Sequence, residues 1–313
     1  MRSVIVGRGL RRAYGDCLAV KSIDFEVYAG ECFGFLGPNG AGKTSTIRML
    51  SCRLPVSGGE LSILGLDATR SSTRIRERIG VVPQENNLDP QLTVWENLVV
   101  YARFFGLPLP QARAKADELL DFMRLAEKRG TRVEDLSGGM RRRLVIARAL
   151  INDPEVVILD EPTTGLDPHA RLLVWERLST LRSRGVTLVL TTHYMDEAWR
   201  LCDRLVIMDE GQIIARGDPK TMVEEYAGRW VLELPLRNGI SKDWDALLGP
   251  RADLVRRWQS VGSTLYVYND DHETLRRRLQ EAGYPLDEYL ARPANLEDVF
   301  LLLTGHTLDL EEE

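Results

Sequence analysis

The sequence predicts an α/β fold: a mostly parallel sheet covered by helices, with antiparallel β structure at its N-terminal edge, followed by a small α+β domain. Three observations lead there. From about residue 32 to residue 218, short β-rich runs alternate with runs of helical periodicity, which is the pattern of a parallel sheet with helices packed on it. The run GPNGAGKT at 37–44 follows an apolar strand candidate and opens a helix candidate, the setting in which such a glycine-rich loop cradles phosphate. After GDPKTMVEEYAG the character changes to short strands and helices without that regular alternation.

The elements follow in order. SVIV and SIDFEV read as strands, the second with Ile23, Phe25 and Val27 on one face, and CFGFLG is a buried central strand. TSTIRML is helical, RIGVVPQ a strand, and about 88–150 a helical section inserted before the strand VVILDEP. RLLVWERLSTLRSRG is a helix with Val174, Leu178 and Leu181 on one face, stopped by Gly185. VTLVLTTH is another buried strand, and DRLVIMDEGQIIARGD a hairpin turning at Glu210 and Gly211. A boundary near 226–230 separates residues 1–226 from an accessory or regulatory domain, 227–313. In the latter, RWVLELPL, DLVRRWQ, STLYVYN and PLDEYLA are strand candidates. DWDALLG, HETLRRRLQEAG and NLEDVFLLLTG are helix candidates, and LDLEEE is a tail.

Composition narrows the function. With 41 basic against 46 acidic side chains the net charge is −5, which argues against a dedicated nucleic-acid binder. Cys17, Cys32, Cys52 and Cys202 form no CxxC pair, and no basic-then-apolar segment opens the chain, as expected in a reducing cytoplasm. Apolar runs such as VVIL fall far short of a membrane span. If the protein works on a membrane, another chain must cross it.

The chemistry sits in a few motifs. In the loop Gly37, Pro38, Asn39, Gly40, Ala41, Gly42, the glycines let backbone amides turn inward around phosphate oxygens. Lys43 reaches the β- and γ-phosphates of a nucleotide, the Thr44 hydroxyl can ligate Mg²⁺, and Ser45 follows on the same helix start. VVILDEP adds Asp160 to hold the metal through its water shell and Glu161 to orient or deprotonate an attacking water. LSGGM at 136–140 places two adjacent glycines at the start of RRRLVIARAL, with Ser137 as the helix cap. A helix start is itself an anion site.

Taken in order, GPNGAGKT, LSGGM, LDEP, GLD and TTH resemble the ATP-binding subunit of an ATP-binding cassette (ABC) transporter over roughly residues 3–225. The resemblance implies a RecA-like parallel core with an antiparallel edge and an inserted helical subdomain. It implies that Tyr14 stacks on adenine, that Gln84 links the metal to the transporter interface, that Asp167 crosses a dimer interface, and that His193 contacts the γ-phosphate. It also implies a head-to-tail dimer, in which Ser137, Gly138 and Gly139 of one copy face the phosphate held by the other. Met140 departs from the glutamine usual at its position and cannot make that amide's hydrogen bonds.

LSGGMRRRL together with EPTTGLDP, TTHYMDEAWRLCDRL and ANLEDVFLLLTG is similar to the branch of drug-resistance and nodulation-factor exporters. That branch implies an ATPase at the cytoplasmic membrane face, powering efflux of a drug, lipid or glycoconjugate through a separate ABC-2-type permease. Trp95, Phe104 and Phe105 are either apolar contacts for that permease or core of the helical section. A soluble cassette ATPase and an importer subunit are the alternative readings. The first is disfavoured because the chain lacks both a long coiled coil between P-loop and LSGGM and a second cassette.

Overall fold

A computed structural model describes residues 2–235, 253–284, 286 and 289–305. Two compact units divide the chain, Met1–Ala215 and Arg216–Glu313.

The first unit carries two sheets. Strands β1 (Ser3–Tyr14), β2 (Cys17–Tyr28), β4 (Gly58–Ile63) and β5 (Leu66–Asp67) form an antiparallel sheet in the order β2-β1-β4-β5. The antiparallel strands expected as an edge thus make a sheet of their own. On β2 the burial alternates from Ile23, with Ile23, Phe25 and Val27 all buried, whereas β1 pairs through several register shifts. Strands β3 (Cys32–Leu36), β6 (Ile79–Val82), β7 (Val156–Asp160), β8 (Thr187–Thr192), β9 (Arg204–Asp209) and β10 (Gln212–Gly217) form the second sheet, in the order β10-β9-β3-β8-β7-β6. β9, β3, β8, β7 and β6 run parallel, and β3, β7 and β8 are buried at every position. The apolar stretches VVIL in β7 and LVL in β8 suit burial on both faces, while Asp160, Thr187, Thr191 and Thr192 at the strand ends are buried polar residues. The two sheets share a core in which Phe25 meets Phe35 edge-on at 5.1 Å and Phe33 meets Phe35 at 5.3 Å. β9 and β10 turn through Glu210 (φ 43°) and Gly211 (φ 78°), two successive left-handed residues as a tight hairpin turn demands.

Helices α1 (Lys43–Leu50), α2 (Ser72–Arg76), α6 (Pro168–Ser183) and α7 (Met195–Leu201) accompany the parallel sheet. α3 (Val94–Phe104), α4 (Leu109–Phe122) and α5 (Gly138–Ala149) make the helical section. Thr93 and Glu96 form a capping box that starts α3. Buried Asn97 ties down the preceding loop by accepting from Asp89 N and donating to the carbonyls of Asp89, Leu92 and Thr93.

The second unit is a four-stranded antiparallel sheet, β12 (Arg257–Val261), β13 (Thr264–Asn269), β11 (Trp230–Pro235) and β14 (Leu290–Pro293) in that order. With it go α8 (Pro219–Tyr226), α9 (His272–Glu281) and α10 (Leu296–Thr304). The unit begins ahead of the expected boundary because α8 packs against α10. Leu232, Leu234, Leu265 and Val267 face α9 through Leu275 and Leu279, while Val231 and Tyr268 cluster on the other face. DLVRRWQ becomes a strand only from Arg257. The DWDALLG helix and the LDLEEE tail lie outside the described residues, as does part of PLDEYLA.

Candidate functional site

Because β3, β6, β7 and β8 are parallel, the chain segments leaving them emerge at one end of the sheet. Those segments carry Gly37–Ser45, Gln84, Glu161 and His193. The carboxyl end of an open α/β sheet is where such folds hold ligands, and here four sequence-predicted groups converge there.

The loop after β3 is shaped by crowding. A Cβ on Gly37 would lie 2.2 Å from the carbonyl oxygen of Met208, and one on Gly42 would lie 2.5 Å from that of Ala19. Gly42 is also left-handed at φ 96° and leads into α1 with no side chain capping the helix. The first amides of α1 are therefore left for a ligand, and no acidic residue stands in its first turn to offset the positive end of the helix dipole. Lys43 is buried and its ammonium donates to the carbonyls of Gly37 at 2.6 Å and Pro38 at 2.8 Å. Burial lowers its pKa, against the opposing pull of Glu161 and Asp160. Tyr14 is exposed, its hydroxyl 3.4 Å from Ser45 Oγ, with the Arg12 guanidinium 4.6 Å over its ring.

The two carboxylates that follow one another in sequence have opposite environments. Asp160 is buried and accepts from Thr191 Oγ1 at 2.7 Å; burial raises its pKa and that hydrogen bond opposes the rise. Glu161 takes φ 45°, a left-handed conformation uncommon for a non-glycine residue. Its amide donates to Thr191 O at 3.2 Å and to Thr191 Oγ1 at 3.1 Å. Its Oε2 accepts from Gln84 Nε2 at 3.2 Å and Thr164 Oγ1 at 3.1 Å, and its Oε1 lies 3.5 Å from His193 Nδ1. That last approach is too long for a well-formed hydrogen bond. The His193 imidazole is nonetheless the largest influence holding the Glu161 carboxyl below its ordinary range, against the raising effect of burial.

Ser137 caps α5 by accepting from Met140 N at 3.3 Å, so its hydroxyl proton stays available to donate elsewhere. The two glycines differ. Gly138 has nothing within 4 Å of where a Cβ would stand, whereas at Gly139 that atom would meet Ala170 Cβ at 2.6 Å. Asp167 caps α6 by accepting from Ala170 N at 2.9 Å. The α5 and α6 starts therefore pack on one another through Gly139 and Ala170.

Sequence reasoning missed three contributors. Thr191 brackets Asp160 and Glu161 from the neighbouring strand. Glu197 is fully buried behind the site, accepting from Thr163 Oγ1 at 2.8 Å and Trp175 Nε1 at 2.9 Å, and burial raises its pKa. Arg142, within the run of three arginines, is buried rather than solvated. Helical spacing from Gly139 and to Ile146 was the signal that it lies on the packed face.

Among the described residues no cluster of three or more His, Cys, Asp or Glu side chains could hold a metal. Mg²⁺ needs no such cage, because it keeps waters and binds through one or two protein oxygens plus substrate phosphates. The hard oxygen donors of Thr44, Asp160 and Gln84 suit that chemistry. No helix among the described residues is long and apolar enough to cross a membrane.

Comparison with known proteins adds the following. The ABC transporter family matches residues 20–164, and the nodulation factor export protein NodI C-terminal domain matches residues 244–305. The chain is 48% identical over 299 residues to a Nod factor export ATP-binding protein I of Rhizobium etli, covering 95% of this chain and 92% of that protein. It is 48% identical over 301 residues to the protein of the same name in Burkholderia orbicola, covering 96% and 97%. Among solved structures it is similar to the dimeric ATP-binding cassette MJ0796 bound to ADP and Pi (TM-score 0.63, 27% identity, 68% of this chain and 98% of that chain). It is also similar to cbiO1 from Clostridium perfringens, part of the ABC transporter complex cbiONQ (TM-score 0.66, 29% identity, 72% and 92%).

Proposed function

Since the chain belongs to the family of ABC transporter ATP-binding proteins, we propose that it hydrolyses ATP to power export of a glycoconjugate of the Nod-factor kind through a separate ABC-2-type permease. The observation that carries the chemistry is the setting of Glu161: an ionised carboxylate in a strained backbone, in reach of Gln84, Thr164 and His193 and beside the Lys43 loop. Glu161 orients the attacking water and accepts its proton. Lys43 and the free amides of α1 hold the β- and γ-phosphates, Tyr14 stacks on adenine, and His193 contacts the γ-phosphate. Bound Mg²⁺ would neutralise developing phosphate charge, held by Thr44, Gln84 and Asp160 directly or through its waters.

Each site is completed by a second copy. The open side of Gly138, the donor left on Ser137, and an α5 start without acidic residues suit a phosphate brought by the partner, with Asp167 reaching across. The permease docks on the helical section, at a groove of about 410 Å³ that Tyr101, Phe104, Phe105, Arg53 and Arg76 help to line. The protein then works at the cytoplasmic membrane face, and the C-terminal unit serves as an accessory or regulatory domain.

The deciding experiment purifies the tagged chain from its native membranes in mild detergent. A multi-span protein recovered in equal amount supports the reading. Recovery with ribosomes or DNA and no membrane protein overturns export. In parallel, Glu161→Gln should bind ATP normally and nearly abolish turnover. Wild-type turnover there would remove Glu161 from its role.

A further inference from the structure

Arg142 is on the second turn of α5 and is only 3% exposed. A guanidinium has five N–H donors and no acceptor, and this one spends them on backbone carbonyls of two separate loops. Nε donates to Pro162 O at 2.7 Å, and Nη2 to Asp160 O and Glu161 O, both at 2.9 Å. Nη1 donates to Pro83 O and, at 3.0 Å, to Gln84 O. The hydrogen bonds of this buried cation go to backbone carbonyls, with the carboxylates of Glu197, Asp160 and Glu161 favouring its charge from nearby. Burial still carries a desolvation penalty, and well-packed apolar side chains of similar volume often serve stability better. No apolar side chain could tie those five carbonyls together.

The loops it ties are the two that carry Gln84 and Glu161. Glu161 is the strained residue of the pair, and such a conformation persists only where its surroundings over-determine it. Thr191 holds its amide and Arg142 holds its carbonyl, so both flanking peptide planes are fixed. The same arginine stands three residues after Gly139 on the helix whose first turn faces outward at Gly138.

We propose that Arg142 is a positioning residue for hydrolysis, clamping the backbone at Gln84 and Glu161 to α5 so that both side chains are aimed at one place. The role rests on the reading of Glu161 as the water-orienting group. It depends on the planar fork of the guanidinium and not on charge alone, because a lysine ammonium has three donors on a flexible stem and cannot span two loops.

The test compares Arg142→Lys and Arg142→Gln with the wild-type full chain, measuring equilibrium binding of an ATP analogue, kcat at saturating ATP and thermal unfolding. Both variants should bind the analogue with affinity within about threefold of wild type while kcat falls at least about tenfold, the signature of lost alignment and not of lost binding. Lysine should fail to rescue. Normal kcat per binding-competent molecule in Arg142→Lys would overturn the proposal, as would a loss of binding and turnover in equal proportion, which marks a purely structural role. Arg142→Lys keeps the charge and stem and so remains informative where Arg142→Gln does not fold. Glu161→Gln run alongside separates the two ideas. Full turnover in Glu161→Gln removes the reading beneath, whereas lost turnover there with normal turnover in Arg142→Lys removes only the clamp.

Discussion

Gly139 stands so close to Ala170 that a Cβ on the glycine would meet the alanine's Cβ at 2.6 Å, while its neighbour Gly138 has nothing within 4 Å. Two adjacent glycines at one helix start therefore serve different ends. Gly139→Ala forces apart the starts of α5 and α6 and should destabilise by about 1–3 kcal/mol, the range for overpacking a close contact. Gly138→Ala should leave stability unchanged or raise it by up to about 1 kcal/mol, since alanine is the better helix former. It should nonetheless weaken ATP-dependent dimer formation, because in the proposed dimer the added methyl would stand where the partner's phosphate approaches. Urea unfolding checks the first pair of outcomes. Gel filtration of the Glu161→Gln chain with and without Gly138→Ala, in ATP, checks the second.

Lys43 donates to Gly37 O at 2.6 Å and to Pro38 O at 2.8 Å. Its removal takes away a buried ammonium as well as two hydrogen bonds, and these offset one another in the free chain. With ATP the balance changes, because charge-assisted bonds to phosphate are lost without compensation. Lys43→Ala should weaken ATP binding by roughly 10- to 100-fold, the equivalent of one charged hydrogen bond worth about 1.5–3 kcal/mol. Calorimetric titration measures it. An unfolding midpoint unchanged in the nucleotide-free protein would confirm that the effect lies in binding.

With Glu161 in its proposed role, the arrangement around it should set the acid side of the pH profile. His193 is the leading cause that holds the Glu161 carboxyl below its ordinary value of 4.5, and burial is the leading opposing one. A carboxylate with a depressed pKa contributes stability above its unfolded pKa and loses it as pH falls through the folded value. The base form that the proposed role requires is lost over the same fall. In His193→Gln the lowering cause is gone and burial acts with less opposition, so the acid limb of kcat should move to higher pH. The profile of kcat against pH, each normalised to its own plateau, reads the shift directly. Coincident limbs would show that the imidazole does not set the ionisation of Glu161.

How much of this was legible in the sequence depended on whether a residue's task was local. The Lys43 loop, the strand that ends at Asp160 just before Glu161, and the hairpin turn at Glu210 and Gly211 are each written in contiguous residues, and they were read correctly as elements. The four-stranded antiparallel sheet was not, because β4 opens on Gly58 and Gly59 and finds its partner in β1, long before it in the chain. Thr191 and Glu197 act across strands and helices, and nothing beside them in sequence names Asp160 or Thr163 as their partners. Arg142 was hidden differently. In a row of three arginines each side chain reads as solvated surface, yet the helix turns Arg142 and Arg143 inward onto backbone carbonyls, and only helical spacing from Gly139 and to Ile146 hints at it for Arg142.

Phe104 offers the cleanest separation of hydrolysis from transport. It is 79% exposed near the end of α3, edge-on to Tyr101 at 6.4 Å, on the groove that Arg53 and Arg76 also line. By contrast Trp95 is committed within the helical section, its indole donating to Asp117 at 2.9 Å with Arg129 stacked over it. A large aromatic so exposed contributes little to folding, so Phe104→Asp should change stability by no more than about 0.5 kcal/mol. It contacts none of the groups proposed to bind the nucleotide, so ATP turnover of the isolated chain should stay within about twofold of wild type. If a permease segment seats on this groove, burying the new carboxylate against it is unfavourable, and export in the intact complex should be lost together with any stimulation of turnover by the permease. Paired assays of ATP turnover and export in reconstituted vesicles decide the matter. Export retained at the wild-type ratio to hydrolysis would place the permease contact elsewhere on the helical section.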